Sequence, residues 1–137
     1  MPRLTQLRTM LAANDLRETI AFYERLGFEC VGRYPEDTEQ FFWCQVARDN
    51  VRLMFNWIDP TPHAHEDGEV HAHDPVDPAL AGSIYLDVDD IDALFEEFKG
   101  VVDEFHFEID DQPHGMREFA VEDPNGYVLL FGSPTPS

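Results

Sequence analysis

The sequence predicts an α+β fold: two βαβββ modules that together make a cupped mixed sheet. Three observations carry that prediction. Amphipathic helix signatures begin at Leu16 and at Ile91, 75 residues apart. Each follows one strand-like stretch and precedes three more, so the same order of elements occurs twice, as in an internal duplication. Asp123-Pro124-Asn125-Gly126 is a tight hairpin signal between the last two strands.

In chain order, residues 7–12 read as a first strand, and Asn14 or Asp15 can cap the helix that follows. Leu16, Ile20, Tyr23 and Leu26 keep helical spacing, and Gly27 closes the helix. Strands are expected over 29–34, 40–47 and 51–57. In the second half a strand over 83–88 leads to a helix capped by Asp89 or Asp90, with Ile91, Leu94, Phe95 and Phe98 on one face and Gly100 at its end. Strands over 101–109, 117–122 and 127–131 complete it. The boundaries are therefore module one at about 5–57, a linker at about 58–81 rich in Pro, His and acidic residues, and module two at about 82–132, within a single domain of 1–137. Each module leaves one sheet face open, so two modules, from one chain or two, would close on a central cleft. A homodimer is expected.

Composition narrows the function classes. The 137 residues include 28 acidic and 9 basic side chains, for a net charge of -19. Such a surface repels phosphate backbones and anionic lipid, so nucleic acid and membranes are not expected partners. It attracts cations, although a surface tuned for solubility or for a salty cytosol carries the same charge. Two cysteines, Cys30 and Cys44, do not make a disulfide framework, and no run approaches a membrane span, which points to a cytoplasmic protein. There is no Gly-rich phosphate loop, nucleophile elbow, or Ser or Cys paired with a His.

The stretches Thr9-Met10-Leu11-Ala12-Ala13-Asn14-Asp15-Leu16, Phe22-Tyr23-Glu24-Arg25-Leu26-Gly27-Phe28 and Arg117-Glu118-Phe119-Ala120-Val121-Glu122-Asp123-Pro124-Asn125-Gly126-Tyr127 resemble the vicinal oxygen chelate superfamily. This superfamily contains glyoxalase I, extradiol dioxygenases, and fosfomycin- and bleomycin-resistance proteins, and the closing motif resembles the bleomycin-resistance branch. The resemblance implies the glyoxalase/bleomycin-resistance fold and, in its enzymes, a divalent metal held by His, Gln or Glu. Carried through the motifs, the four ligand positions fall at Arg8, Arg52, Ser83 and Leu130. Two are cations, one is aliphatic and one is a lone serine, so no metal is expected there and no cofactor is implied.

Without a metal, binding is favoured over chemistry. The leading expectation is metal-independent sequestration of a small cationic or aromatic molecule in a dimer cleft, as in antibiotic resistance by drug binding. The alternative is a glyoxalase- or dioxygenase-like enzyme with non-standard ligands. Candidate ligand-binding residues are Arg8, Trp43, Arg52, Phe55, Trp57, Ser83, His114 and Phe119. Arg8 and Arg52 would meet either a polar group of the ligand or a neighbouring carboxylate. The aromatics would line the cleft or fill the core, since alternation sends about half of a strand inward. His114 stands in Gln112-Pro113-His114-Gly115, which resembles a Gln-Pro-Trp-Gly turn of bleomycin-resistance proteins. In the linker, His63, His65, His71 and His73 form two His-x-His pairs that suit zinc, nickel or copper, against the plainer reading of a polar linker with adventitious metal affinity.

Overall fold

Asp15 Oδ1 accepts a hydrogen bond from the Glu18 amide at 3.0 Å and so caps α1, Leu16–Arg25. Asp90 Oδ1 does the same for the Ala93 amide at 3.1 Å, capping α2, Ile91–Lys99. Gly27 follows α1 at a φ of 86°, a left-handed conformation that glycine adopts without a Cβ clash. Around these helices the computed structural model, which describes residues 1–59 and 83–135, places eight strands. They are β1 Thr9–Ala13, β2 Glu29–Tyr34, β3 Trp43–Arg48, β4 Val51–Trp57, β5 Ser83–Asp87, β6 Phe107–Asp111, β7 Met116–Glu122 and β8 Val128–Pro134.

The chain divides into two compact units, Met1–Val76 and Asp77–Ser137. Each contains one four-stranded mixed sheet, ordered β1-β4-β3-β2 in the first and β5-β8-β7-β6 in the second. In both, the first strand runs parallel to the last and the other pairs are antiparallel. The duplicated βαβββ architecture is therefore present element for element. Among the described residues no helix is long and apolar enough to cross a membrane.

Each unit has its own core between helix and sheet. In the first, Tyr23 of α1 is fully buried against Phe28 and Phe55. In the second, Phe95 and Phe98 of α2 pack on Phe119, which stacks on Phe131 at 5.2 Å. Aromatic rings meeting edge to face and offset add to the burial of their area.

Two strands begin later than their apolar runs suggest. β6 starts at Phe107 rather than at Val101, because the Val101 and Val102 amides bond back to the Phe98 carbonyl as a helix-end turn and Phe105 turns into the core beside Phe95 and Phe119. β3 starts at Trp43, and Phe41 before it is buried beneath the Arg17 and Arg33 guanidiniums. At the end of module one Ile58 continues the sheet: its amide donates to the Ala13 carbonyl at 2.8 Å and its side chain is buried. The linker pairs His63, His65, His71 and His73 lie outside the described residues.

Candidate functional site: the helix-free faces of the two sheets

Strand alternation sorts the first sheet into two faces. Cys44, Val46, Leu53 and Phe55 turn toward α1 and are buried. Trp43, Gln45, Arg52 and Met54 turn the other way. Met54 lies opposite Gln45 on one side and Met10 on the other. Arg8 directly precedes β1, and continuing the parallel register by one residue sets it beside Arg52. Arg8 Nη1 donates to Gln45 Oε1 at 3.1 Å, so its side chain reaches across β4 to β3. Both arginines are exposed. Among the described residues neither forms an ion pair with a carboxylate, the plainer of the two roles the sequence left open for them.

In the second sheet Phe119, Val121, Leu129 and Phe131 turn toward α2, and Glu118 faces away from it. Glu118 is only 4% exposed, yet its carboxylate is satisfied: Oε2 accepts from the Tyr85 hydroxyl at 2.7 Å and lies 3.2 Å from His114 Nε2. The row across the sheet explains how the phenol gets there. Gly132 stands opposite Glu118 in the β7–β8 register, and a Cβ built on Gly132 would meet the Tyr85 hydroxyl at 2.0 Å. The missing side chain is the space the hydroxyl occupies. Partial burial, then the bond to Glu118 and its negative charge, push the Tyr85 phenol from 10.0 up to about 12, so Tyr85 is a hydrogen-bond donor at neutral pH. His114 is held by the β6–β7 hairpin, where Gly115 takes a φ of 91°, and its ring projects into solvent.

The eight candidate residues thus separate. Arg8, Trp43 and Arg52 share the helix-free face of the first sheet; Ser83 and His114 belong to that of the second, with Ser83 opposite Val128. Phe55 and Phe119 do not line a ligand surface. Both are fully buried under helices, because odd-numbered positions on β4 and β7 point inward. Trp57 is also apart: its Nε1 donates to the Asn14 carbonyl at 3.1 Å, and with Phe42, 6.3 Å away, it borders a cavity of about 390 Å³ at the start of α1. Sequence reasoning passed over Glu118 as a binding or catalytic group. The available signal was alternation, since a carboxylate flanked by inward-facing Arg117 and Phe119 has to stand on the opposite face.

The metal positions implied by the resemblance, Arg8, Arg52, Ser83 and Leu130, do fall on the helix-free faces, Leu130 opposite Tyr85. Their chemistry does not suit a divalent ion: two guanidiniums repel it, and an isobutyl group has no donor. Among the described residues no group of three or more His, Cys, Asp or Glu could hold a metal.

A family model described as the Glyoxalase/Bleomycin resistance protein/Dioxygenase superfamily matches residues 5–131. No curated protein sequence matches the chain. Solved structures do. TioX from Micromonospora sp. ML1 is 17% identical with a TM-score of 0.73, covering 96% of this chain and 99% of its own. A bleomycin-binding protein complexed with bleomycin is 26% identical with a TM-score of 0.66, covering 96% and 100%. Lactoylglutathione lyase from Agrobacterium tumefaciens is 20% identical with a TM-score of 0.67, covering 97% and 96%. Binder and enzyme share this fold.

Proposed function

The chain belongs to the glyoxalase/bleomycin resistance protein/dioxygenase superfamily, and from that premise we propose that it binds and sequesters a small cationic or aromatic molecule without a metal, as a homodimer. The observation that carries the reading is the donor set at the four metal positions, where Arg8, Arg52, Ser83 and Leu130 offer charge, a hydroxyl and apolar surface in place of ligands. Two further features support it. Trp43 and Tyr85 give the helix-free faces aromatic surface for stacking. Glu118, buried beneath Tyr85 and His114, is a fixed negative charge beside aromatic rings, a setting that favours a cationic group. The bleomycin-bound relative makes bleomycin the first ligand to try. Sequestration of this kind needs tight binding and no turnover.

The test has two parts. Elemental analysis of a variant with His63, His65, His71 and His73 changed to alanine, after incubation with zinc, nickel, manganese and iron, should find near-zero metal. Titration of the same metal-free protein with bleomycin should give saturable quenching of Trp43 fluorescence, read in a Trp57→Phe background, with a sedimenting species of twice the chain mass. One tightly held ion per chain would overturn the reading and mark the protein as a metalloenzyme. Quenching that does not saturate would remove the drug-binding part alone.

A further inference from the structure

We propose that the helix-free face of the first sheet is an oxyanion site: the Arg8 and Arg52 guanidiniums together hold a carboxylate or phosphate whose flat apolar body lies on Met10 and Met54 and extends toward Trp43. The inference rests on the small-molecule reading above and adds an acidic group to the ligand.

The charge pattern is the first argument. Acidic residues outnumber basic ones by 28 to 9, yet two of the few arginines stand side by side, Arg8 just before β1 and Arg52 on β4. Like charges directly opposite on a sheet repel, and the ordinary remedy in so acidic a chain is a carboxylate partner. Neither arginine has one among the described residues. Arg8 is tied to the neutral amide oxygen of Gln45. Glu29 reaches this face from β2, opposite Ala47 at the sheet edge, with Ala47 and β3 between it and Arg52. No hydrogen bond or ion pair joins Glu29 to either guanidinium.

Geometry is the second. The Gln45 bond holds the exposed Arg8 side chain across β4, on the same side as Arg52. Two guanidinium forks so placed match the paired oxygens of a carboxylate or phosphate, which a lysine would hold as a point charge only. Beside them the surface is apolar. Met10 is 47% exposed and pairs with the half-buried Met54 in the next row, while Trp43 stands farther along the same face, opposite Asn56, with its ring 3.3 Å from where a Cβ on Gly32 would be. A flexible thioether pair next to two cations, with an indole farther along the same face, suits an aromatic acid.

The experiment compares three probes with one ring system: naphthoate, naphthyl phosphate and the neutral naphthylmethanol. Each is titrated calorimetrically into the full chain, and the Trp43 indole resonance is followed by NMR. Both anions should bind roughly tenfold or more tightly than the alcohol, and whichever of the two binds better distinguishes carboxylate from phosphate. R8Q/R52Q should remove that preference while leaving the alcohol unchanged, and R52K should restore part of it. If E29Q weakens naphthoate binding, or if the anions keep their advantage in R8Q/R52Q, the assignment is overturned. Equal binding of all three probes sinks the oxyanion site but leaves an aromatic-binding face; no binding of any probe sinks both.

Discussion

Gly132 sits where Tyr85 crosses the second sheet to reach Glu118, with the phenol carbon 2.8 Å and its hydroxyl 2.0 Å from where a methyl would be. Gly132→Ala therefore forces the ring out and leaves a buried carboxylate with one partner fewer. A loss of about 1–3 kcal/mol is expected from overpacking and the broken bond, read by urea unfolding. Tyr85→Phe removes the hydroxyl and relieves the worst of the contact, so the double variant should lose less than the sum of the two single changes. Strict additivity would mean the two residues do not meet. The same bond fixes a pH dependence. The folded-state phenol is raised from 10.0 to about 12, so its contribution to stability is intact below pH 10 and fades as pH climbs through 12. The difference between the ultraviolet titrations of the wild type and Tyr85→Phe should show this phenol ionising late, and E118Q should bring it down. Cysteines separate similarly. Cys44 is fully buried, and burial with the nearby Cys30 pushes its thiol up to about 12, so iodoacetamide at pH 8 should label Cys30 and reach Cys44 only on unfolding.

At the level of elements, the two helices are matched pieces with matched caps, and Asp15→Ala and Asp90→Ala should each cost about 1 kcal/mol, visible as separate drops in melting temperature of a few degrees. A much larger effect at Asp15 would reveal a second role at the cavity it borders with Trp57 and Phe42. The caps were legible beforehand because a short polar side chain before a run at helical spacing has few other uses. β2 and β4 were legible to the residue, bounded by Gly27 and by the Asp49-Asn50 turn, where Asp49 takes a φ of 52°. β6 was not, because Val101, Val102 and Phe105 look like a strand by composition while serving a helix end and the core. The site was legible in part for the same reason. Arg8 and Arg52 could be placed by motif, but which face Phe55 and Phe119 take depends on the parity of each strand against its helix. Periodicity gives that parity only when the polar partners are read together with the apolar ones. Glu118 escaped notice because a carboxylate in an acidic chain reads as solvated until its burial under Tyr85 is known.

Over the whole molecule, a net charge of -19 spread over 137 residues opposes compaction through self-repulsion. Few cations offset it: among the described residues Arg117 pairs with Asp92 and Asp111, each at 3.0 Å, and Lys99 with Glu96 at 3.2 Å. Salt shortens the reach of the repulsion, from a screening length of about 30 Å at 0.01 M to roughly 3 Å at 1 M. The protein should therefore melt higher in salt, by on the order of 5 °C between those limits, which for a chain of this size corresponds to roughly 1–2 kcal/mol. Sodium chloride and tetramethylammonium chloride at equal ionic strength should act alike, since the effect is screening and not a bound ion. The oxyanion probes should do the opposite and bind more weakly as salt rises, because their contacts are with Arg8 and Arg52. A calorimetric series run on one sample across the same salt range separates these two signs. Stability falling with salt would mean that attraction between the arginines and their carboxylates outweighs the repulsion among the acidic residues. Probe affinity rising with salt would mean that the field of the whole chain, and not the two guanidiniums, governs what reaches the first sheet.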